Sequence, residues 1–235
     1  MSDFLRRRLL GVAGGLAIAL GVAGGASAAP TPGSIPGGLA TNDALVPLFG
    51  DGTTSRNGWY GATLYLIAGD GGANINVEYL GAEAGNRNIF TLSGGTGGGP
   101  LTFYSSGVAS WNTTRGAGSD PDGTLTSVDS GPLTFSFTSP SPAGTVNNGD
   151  ENDNVANLVN FFVSFEDENA AGGQIAYLFL DDGGAGNDDN HDDMVIRLSI
   201  VGGTIAIPLP AAAWLMIAGI GGLGLVARRR KATEA

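Results

Sequence analysis

The chain contains no cysteine among its 235 residues, and it contains a single histidine, His191. The missing thiols exclude a cysteine nucleophile, a thiolate metal site and any disulfide. One histidine also cannot supply the several nitrogen ligands that zinc prefers. The stability of the fold must therefore come from an apolar core or from bound ions that take oxygen ligands.

Positive charge is scarce, and it is unevenly placed. Seven of the eleven Lys and Arg residues lie near the two ends of the chain: Arg6, Arg7, Arg8, Arg228, Arg229, Arg230 and Lys231. The segment 29–210 keeps four arginines against twenty acidic residues, a net charge of −16. Such a segment does not neutralise phosphates, which excludes nucleic acid as a partner. It suits divalent cations, cationic partners or simple solubility through self-repulsion.

The middle of the chain lacks a sustained helical period, and apolar runs alternate there with turn-rich spacers. These runs predict strands at 59–67, 75–80, 89–92, 101–104, 133–138, 158–165, 175–180 and 194–201. We therefore predict an all-β chain with a single β-sandwich, jelly-roll-like or immunoglobulin-like, over residues 49–203. A Pro/Gly-rich lead-in, 29–48, precedes it. Neither a Gly-x-Ser-x-Gly elbow nor a phosphate-binding Gly-x-x-x-x-Gly-Lys motif occurs.

Residues 1–28 have the layout of a secretory signal peptide, which we expect to be helical. An arginine cluster precedes an apolar region, and the small residues Ala26 and Ala28 mark a cleavage site after Ala28. The run Arg-Arg-Arg-Leu-Leu also resembles a twin-arginine signal, although the Sec route is favoured. Glycines are too dense in this segment to favour a core helix packed in water.

The other end, residues 204–235, carries a proline-marked junction, an apolar stretch and a basic block. The junction consists of Ile207, Pro208, Leu209, Pro210 and Ala211. The apolar stretch 211–227 predicts a short transmembrane helix of about 26 Å. The basic block consists of Arg228, Arg229, Arg230 and Lys231.

Together these parts resemble the VPLPA variant of the PEP-CTERM sorting domain, with Ile207 in place of the valine. The resemblance implies an exported bacterial protein that an exosortase, a membrane-embedded thiol protease, recognises at residues 208–211. The alternative is a plain anchor that is never cut. Cations before the first apolar segment and after the second predict that both termini are cytoplasmic. The precursor would then be held transiently in the inner membrane, with its mature domain in the cell envelope or outside the cell.

The densest cluster of ionisable residues lies between two predicted strands, at 181–193. Six aspartates in this connection are candidate calcium ligands: Asp181, Asp182, Asp188, Asp189, Asp192 and Asp193. Calcium takes six to eight oxygen ligands, and nearby glycines let a backbone fold around such an ion. A solvated acidic turn is the alternative, and we expect His191, in the same polar connection, to be exposed.

These features predict a non-enzymatic exported protein with a structural or adhesive role in the envelope or extracellular matrix. A calcium-dependent carbohydrate-binding module for exopolysaccharide is the alternative, using the aromatic residues Trp59, Tyr60, Tyr104 and Trp111. A glycoside hydrolase is a third hypothesis. It would need paired carboxylates, and the groups 150–153 and 166–168 are the candidates.

Overall fold

A computed structural model describes residues 31–35, 48–49, 55–83, 85–96, 99–105, 107, 110–111, 121–150, 158–184 and 190–208. The predicted signal peptide, the span 211–227 and the basic block 228–231 lie outside these residues. Within them the chain forms sixteen strands. The first eight are β1 (Thr31–Ile35), β2 (Arg56–Tyr60), β3 (Tyr65–Ala68), β4 (Ala73–Ala82), β5 (Ile89–Ser93), β6 (Leu101–Tyr104), β7 (Ser110–Trp111) and β8 (Gly123–Val128). The others are β9 (Gly131–Pro132), β10 (Thr134–Pro140), β11 (Ala143–Asn147), β12 (Asn160–Phe165), β13 (Gly172–Gly173), β14 (Ile175–Asp181), β15 (Met194–Val201) and β16 (Gly203–Ala206).

The prediction of an all-β chain is confirmed. Each apolar run that predicted a strand coincides with at least one observed strand, and the run 59–67 covers parts of two. Strand β1 lies outside the range 49–203 that was predicted for the folded domain, and β16 starts at its last residue and extends beyond it. Both are short and contain glycine, so their own residues give little strand signal. Pairing with neighbouring strands makes them strands: β1 pairs with β2, and β16 pairs with β3 and β13.

The strands form three antiparallel sheets. An eight-stranded sheet has the order β1-β2-β12-β14-β15-β4-β7, and β8 also pairs with β4. A four-stranded sheet, here called the facing sheet, has the order β11-β10-β5-β6. The third sheet, here called the exit sheet, has the order β13-β16-β3-β9. At this end the described residues extend two positions past β16, to Pro208.

The exit sheet continues the eight-stranded sheet beyond a glycine-rich bend. Strand β14 pairs with β15, and β13, just before it in the chain, pairs with β16. Strands β15 and β16 meet at Gly202, whose φ of +85° lies in the left-handed region that favours glycine. A Cβ on Gly203 would lie 2.5 Å from the carbonyl oxygen of Ile67. The bend that joins β15 to β16 therefore depends on glycine.

One apolar core joins all three sheets. The Phe135 ring of the facing sheet packs edge-on against Phe161 of the eight-stranded sheet, with centroids 5.3 Å apart. Leu66 and Ile205 of the exit sheet belong to the same cluster and are almost fully buried. Burial of each large apolar side chain of this kind contributes about 1.5–3 kcal/mol. The core fixes how the three sheets sit together.

The eight-stranded sheet is covered on its second face as well. Tyr60, Phe162 and Phe179 form a separate buried cluster there, and Phe49 packs on it. Every residue of β12 is consequently buried, as expected for a strand with two covered faces.

Two of the four arginines between residues 29 and 210 are used inside this second face. The Arg197 guanidinium lies 2.6 Å from a Glu78 carboxylate oxygen, and both side chains are buried. Arg56 lies over the rings of Phe49 and Tyr177, at 4.4 and 5.0 Å from the ring centroids. It also donates hydrogen bonds to Ser164 and to the carbonyl oxygen of Phe165. Burial raises the pKa of Tyr177 above its usual 10.0, against the opposing effect of these two guanidinium groups.

Candidate functional site

The acidic connection joins β14 to β15 at the end of the eight-stranded sheet farther from the exit sheet. Leu180 and Met194 are cross-strand neighbours, so both ends of the connection lie side by side. Residues 185–189 lie outside the described part, and with them the candidate ligands Asp188 and Asp189. The other four predicted ligands are described, and each has a definite role in holding the connection.

Asp181 ends β14 and folds the chain back on itself. Its side chain is 1% exposed, and its Oδ1 accepts hydrogen bonds from the backbone N–H groups of Gly183 (2.7 Å) and Gly184 (2.6 Å). Aspartate commonly closes such local turns, and charge-assisted bonds of this kind offset the cost of burying a carboxylate. One ligand candidate therefore acts as a turn former.

Asp182 and Asp193 are brought together across the base of the connection. The backbone N–H of Asp182 donates to Asp193 Oδ2 at 2.8 Å, and the N–H of Asp193 donates to the Leu180 carbonyl oxygen at 3.1 Å. Asp182 Oδ2 then accepts two amide hydrogen bonds, from Asn86 at 3.1 Å and from Asn88 at 2.8 Å. This network ties the acidic connection to the segment that leads into β5.

Asn86 and Asn88 are partners that the sequence did not reveal. They precede β5 and are separated from Asp182 by more than ninety positions. Two asparagines just before a strand are a common turn signal, and nothing local links them to a distant aspartate. Among the described residues, the buried Oδ1 of Asn88 has no hydrogen-bond partner. The amide nitrogen of the same side chain donates to the Asp182 carboxylate and, at 3.3 Å, to the Asp193 backbone carbonyl oxygen.

Asp192 and His191 are the buried residues near the end of the connection. The Asp192 side chain is 1% exposed, and the backbone carbonyl oxygen of Asp192 accepts the Glu83 N–H at 2.8 Å. The prediction that His191 is exposed is wrong, because its side chain is 0% exposed. Its Nε2 lies 2.6 Å from Asn160 Oδ1, and its ring packs edge-on against Tyr60 at 5.3 Å.

His191 is a core residue of this end of the fold. Burial lowers its pKa from 6.5 to about 3, so the imidazole is neutral at physiological pH. Its Nδ1 lies 3.9 Å from Asp181 Oδ2. Because the imidazole is neutral, this contact is not a salt bridge. The polar sequence around His191 gave no sign of this burial, because the burial depends on rings of the distant strands β2 and β12.

The described carboxylates do not by themselves make a metal centre. In the described part of the chain, no group of three or more His, Asp or Glu side chains is placed to hold an ion. Asp181 and Asp182 already accept hydrogen bonds from protein donors, which compete with a cation. A calcium site at this end would thus depend on Asp188 and Asp189 as well.

Three members of the other acidic groups accept backbone hydrogen bonds. Asp150 accepts hydrogen bonds from the backbone and the amide of Asn147, each at 2.8 Å. Asp167 accepts the Asn169 N–H at 3.1 Å, and Glu168 accepts the N–H of the distant Asn57 at 2.9 Å. Asp150 and Asp167 therefore close local turns, whereas Glu168 joins its turn to β2.

The aromatic residues proposed for sugar stacking divide into buried and exposed ones. Tyr60 is buried, and Trp59 is half-buried against Phe165 with ring centroids 5.8 Å apart. Tyr104, at the end of edge strand β6, is 50% exposed. The Arg87 guanidinium lies over its ring at 4.7 Å. Strand β7 contains Trp111, whose side chain lies outside the described part.

At the opposite end of the molecule, the first residue of the predicted sorting motif belongs to the core. Ile207 is 6% exposed and packs in the main core. Its N–H donates to the Ala171 carbonyl oxygen at 2.9 Å. Pro208 is exposed, and the rest of the predicted motif, 209–211, lies outside the described residues.

None of the helical structure in the described residues is long and apolar enough to cross a membrane. No protein-family model, curated protein or solved structure matches the chain.

Proposed function

We propose that this chain is an exported bacterial protein that an exosortase-type protease processes at its C-terminal tail. Its mature domain would serve a structural or adhesive role in the cell envelope or extracellular matrix. The observation that carries the proposal is the position of the motif: Ile207 is buried in the core, and the exposed Pro208 starts the segment that the protease would bind. An extended, proline-containing segment just outside a folded domain is well suited to binding by a protease.

The folded part fits a non-enzymatic role. The only histidine is buried and neutral, Glu78 pairs with Arg197, and Asp150, Asp167 and Asp181 close turns. We propose that the sheets pack as a jelly-roll-like or immunoglobulin-like sandwich. Such a fold presents its loops at two ends, and here one end carries the acidic connection and the other carries the exit sheet.

Mass spectrometry of the chain produced together with an exosortase-type protease tests the processing. The expected product begins at Ala29 and lacks the span 211–227 and the basic block. A Pro208→Ala/Pro210→Ala variant should keep its tail, while the control Pro121→Ala, at an exposed proline far along the sequence, should lose it. Recovery of an intact chain from Met1 to Ala235 would contradict both predicted cuts.

We propose calcium as the ion of the acidic connection. Asp188 and Asp189 would complete an oxygen site with Asp182, Asp193 and Asn88, whose buried Oδ1 suits a hard cation. Calcium titration by calorimetry is the test. The double variant Asp188→Asn/Asp189→Asn should weaken binding by about tenfold or more, since ligand charge sets calcium affinity. The control Asp167→Asn/Glu168→Gln neutralises another adjacent pair and should bind normally. If the parent chain gives neither binding heat nor a higher melting temperature in excess calcium, this part of the proposal fails.

Carbohydrate binding is a second candidate, and the exposed Tyr104 favours it. Edge tyrosines can stack on sugar rings, and Arg87 holds this ring from one side. Binding to exopolysaccharide should be lost in Tyr104→Ala and retained in Tyr65→Ala, which removes an exposed tyrosine from the exit sheet. Equal binding by both variants would exclude Tyr104 as the sugar platform.

A further inference from the structure

The exit sheet presents an uncharged, partly apolar face to solvent. On β3, Tyr65 and Ile67 are 38% and 56% exposed, whereas Leu66 between them is buried. Directly opposite residues in an antiparallel pair share a face, so Ala206 lies beside Tyr65 and Thr204 beside Ile67. None of the residues in the four strands of this sheet is charged. We call this surface, made of Tyr65, Ile67, Thr204, Ala206 and Pro132, the exit face.

The exit face lies next to the point where the chain leaves for its predicted membrane span. Ile207 is fixed in the core, and only residues 208–210 separate it from Ala211, the first residue of the apolar stretch. A fully extended chain covers at most about 14 Å over those four steps. Tyr65 is the cross-strand neighbour of Ala206, at a Cα separation of about 5 Å. A tail inserted in a bilayer therefore holds the exit face within about 20 Å of the membrane.

The surrounding charges limit which membrane surface the exit face suits. Exposed carboxylates occupy the neighbouring turns, with Asp70 and Asp129 on one side and Glu166 and Asp167 near Ala171. These groups repel an anionic lipid surface and tolerate a zwitterionic one. Tyrosine favours the headgroup level of a bilayer, and isoleucine favours the hydrocarbon below it. Each residue alone binds weakly, but the short tether raises the local concentration of the exit face at the membrane.

From these observations we propose that the exit face lies on the zwitterionic lipid surface for as long as the tail holds the chain in the membrane. The inference rests on the proposed function, because it needs the span 211–227 to be inserted. It deepens that function by giving the precursor an orientation. The exit face lies on the lipid, and the acidic connection lies at the far end of the eight-stranded sheet. Removal of the tail then releases a weakly bound surface.

Site-specific fluorescence tests this contact, and the absence of cysteine makes single labelling simple. The full-length chain is reconstituted in phosphatidylcholine vesicles that contain nitroxide lipids, with an environment-sensitive dye on a cysteine introduced by Ile67→Cys. The matched control is Thr102→Cys, an exposed position on β6 of the facing sheet. A third label, introduced by Ile217→Cys, reports on the predicted span.

We expect shallow nitroxides to quench the label at 67 about threefold or more above the label at 102, because a docked residue lies within 5–10 Å of the headgroup boundary. Thr204→Glu in the Ile67→Cys chain should abolish that difference by placing a carboxylate beside the dye. Vesicles rich in anionic lipid should reduce it as well.

The other outcomes contradict either the docking of the exit face or the insertion of the tail. Equal quenching at 67 and 102, with a quenched label at 217, overturns the docking and leaves the membrane tail intact. An unquenched label at 217 overturns the inserted tail, and the docking with it. A label at 67 that is shielded from aqueous iodide but not quenched by nitroxide lipids shows that protein, such as a second copy of the chain, covers the exit face in place of lipid.

Discussion

The two ends of the folded domain differ in how side-chain charge relates to side-chain exposure. The acidic connection is rich in charge, yet Asp181, Asp192 and His191 are buried there. The exit sheet has no charged strand residue, yet it leaves Tyr65 and Ile67 exposed. At the first end, backbone N–H groups donate to Asp181 Oδ1 and asparagine amides donate to Asp182 Oδ2, which offsets part of the cost of burying these charges. The exposure of the side chains, and not the amino-acid composition, therefore indicates which end has apolar surface available for binding.

The largest expected effect comes from breaking the buried network at the acidic end. Asp181→Ala leaves the N–H groups of Gly183 and Gly184 without their acceptor in a buried turn, and we expect it to lower the free energy of unfolding by about 3 kcal/mol. Urea denaturation measures the change. The control Asp70→Ala removes an exposed turn carboxylate and should cost less than about 0.5 kcal/mol. Equal effects of the two substitutions would mean that burial at this end does not depend on these bonds.

A matched pair of isoleucines tests the exit end. Ile207→Ala removes a core side chain and should lower the free energy of unfolding by about 2 kcal/mol, the lower end of the usual range for a buried isoleucine. Ile67→Ala makes the same change on the exit face and should cost less than about 0.5 kcal/mol. Thermal unfolding compares both with the parent. A larger loss for Ile67→Ala than for Ile207→Ala would contradict the assignment of Ile207 to the core.

At pH 7 the smallest effect comes from the buried imidazole, whose contribution to stability changes only in a more acidic medium. The folded pKa of His191, about 3, lies below its unfolded value of 6.5, so below pH 6.5 the unfolded chain binds a proton that the folded chain does not. Its contribution to stability is full above pH 6.5 and declines as the pH falls towards 3, by up to about 1.4 kcal/mol per pH unit.

His191→Gln should flatten that decline, because glutamine does not titrate. Denaturation curves recorded with a chelator at several pH values between 3 and 8 give the slope of the free energy of unfolding against pH for the parent and for the variant. Only the difference between these slopes reports on His191, because the carboxylates titrate in both chains. Parallel slopes for the parent and the variant would show that the histidine is not buried in its neutral form.

Local patterns predicted much of the fold but little of the candidate site. The strands at 101–104 and 194–201 coincide with β6 and β15, because alternating or continuous apolar runs report burial directly. Strand β1 was missed because its Pro and Gly residues have low strand propensity and its pairing with β2 lies outside any local window. The hydrogen bonds of Asn86 and Asn88 to Asp182, and the burial of His191 under Tyr60, likewise join distant segments. No pattern of spacing predicts such partners.

The placement of the arginines has a consequence for proteolysis and chemical modification. Trypsin-like proteases cut after Lys or Arg, and the segment 29–210 contains no lysine. Arg56 and Arg197 are buried, so among the described residues Arg87 is the one exposed cleavage point. The described part of the chain therefore offers trypsin a single accessible site, and it has no lysine amine for amine-reactive cross-linkers to modify.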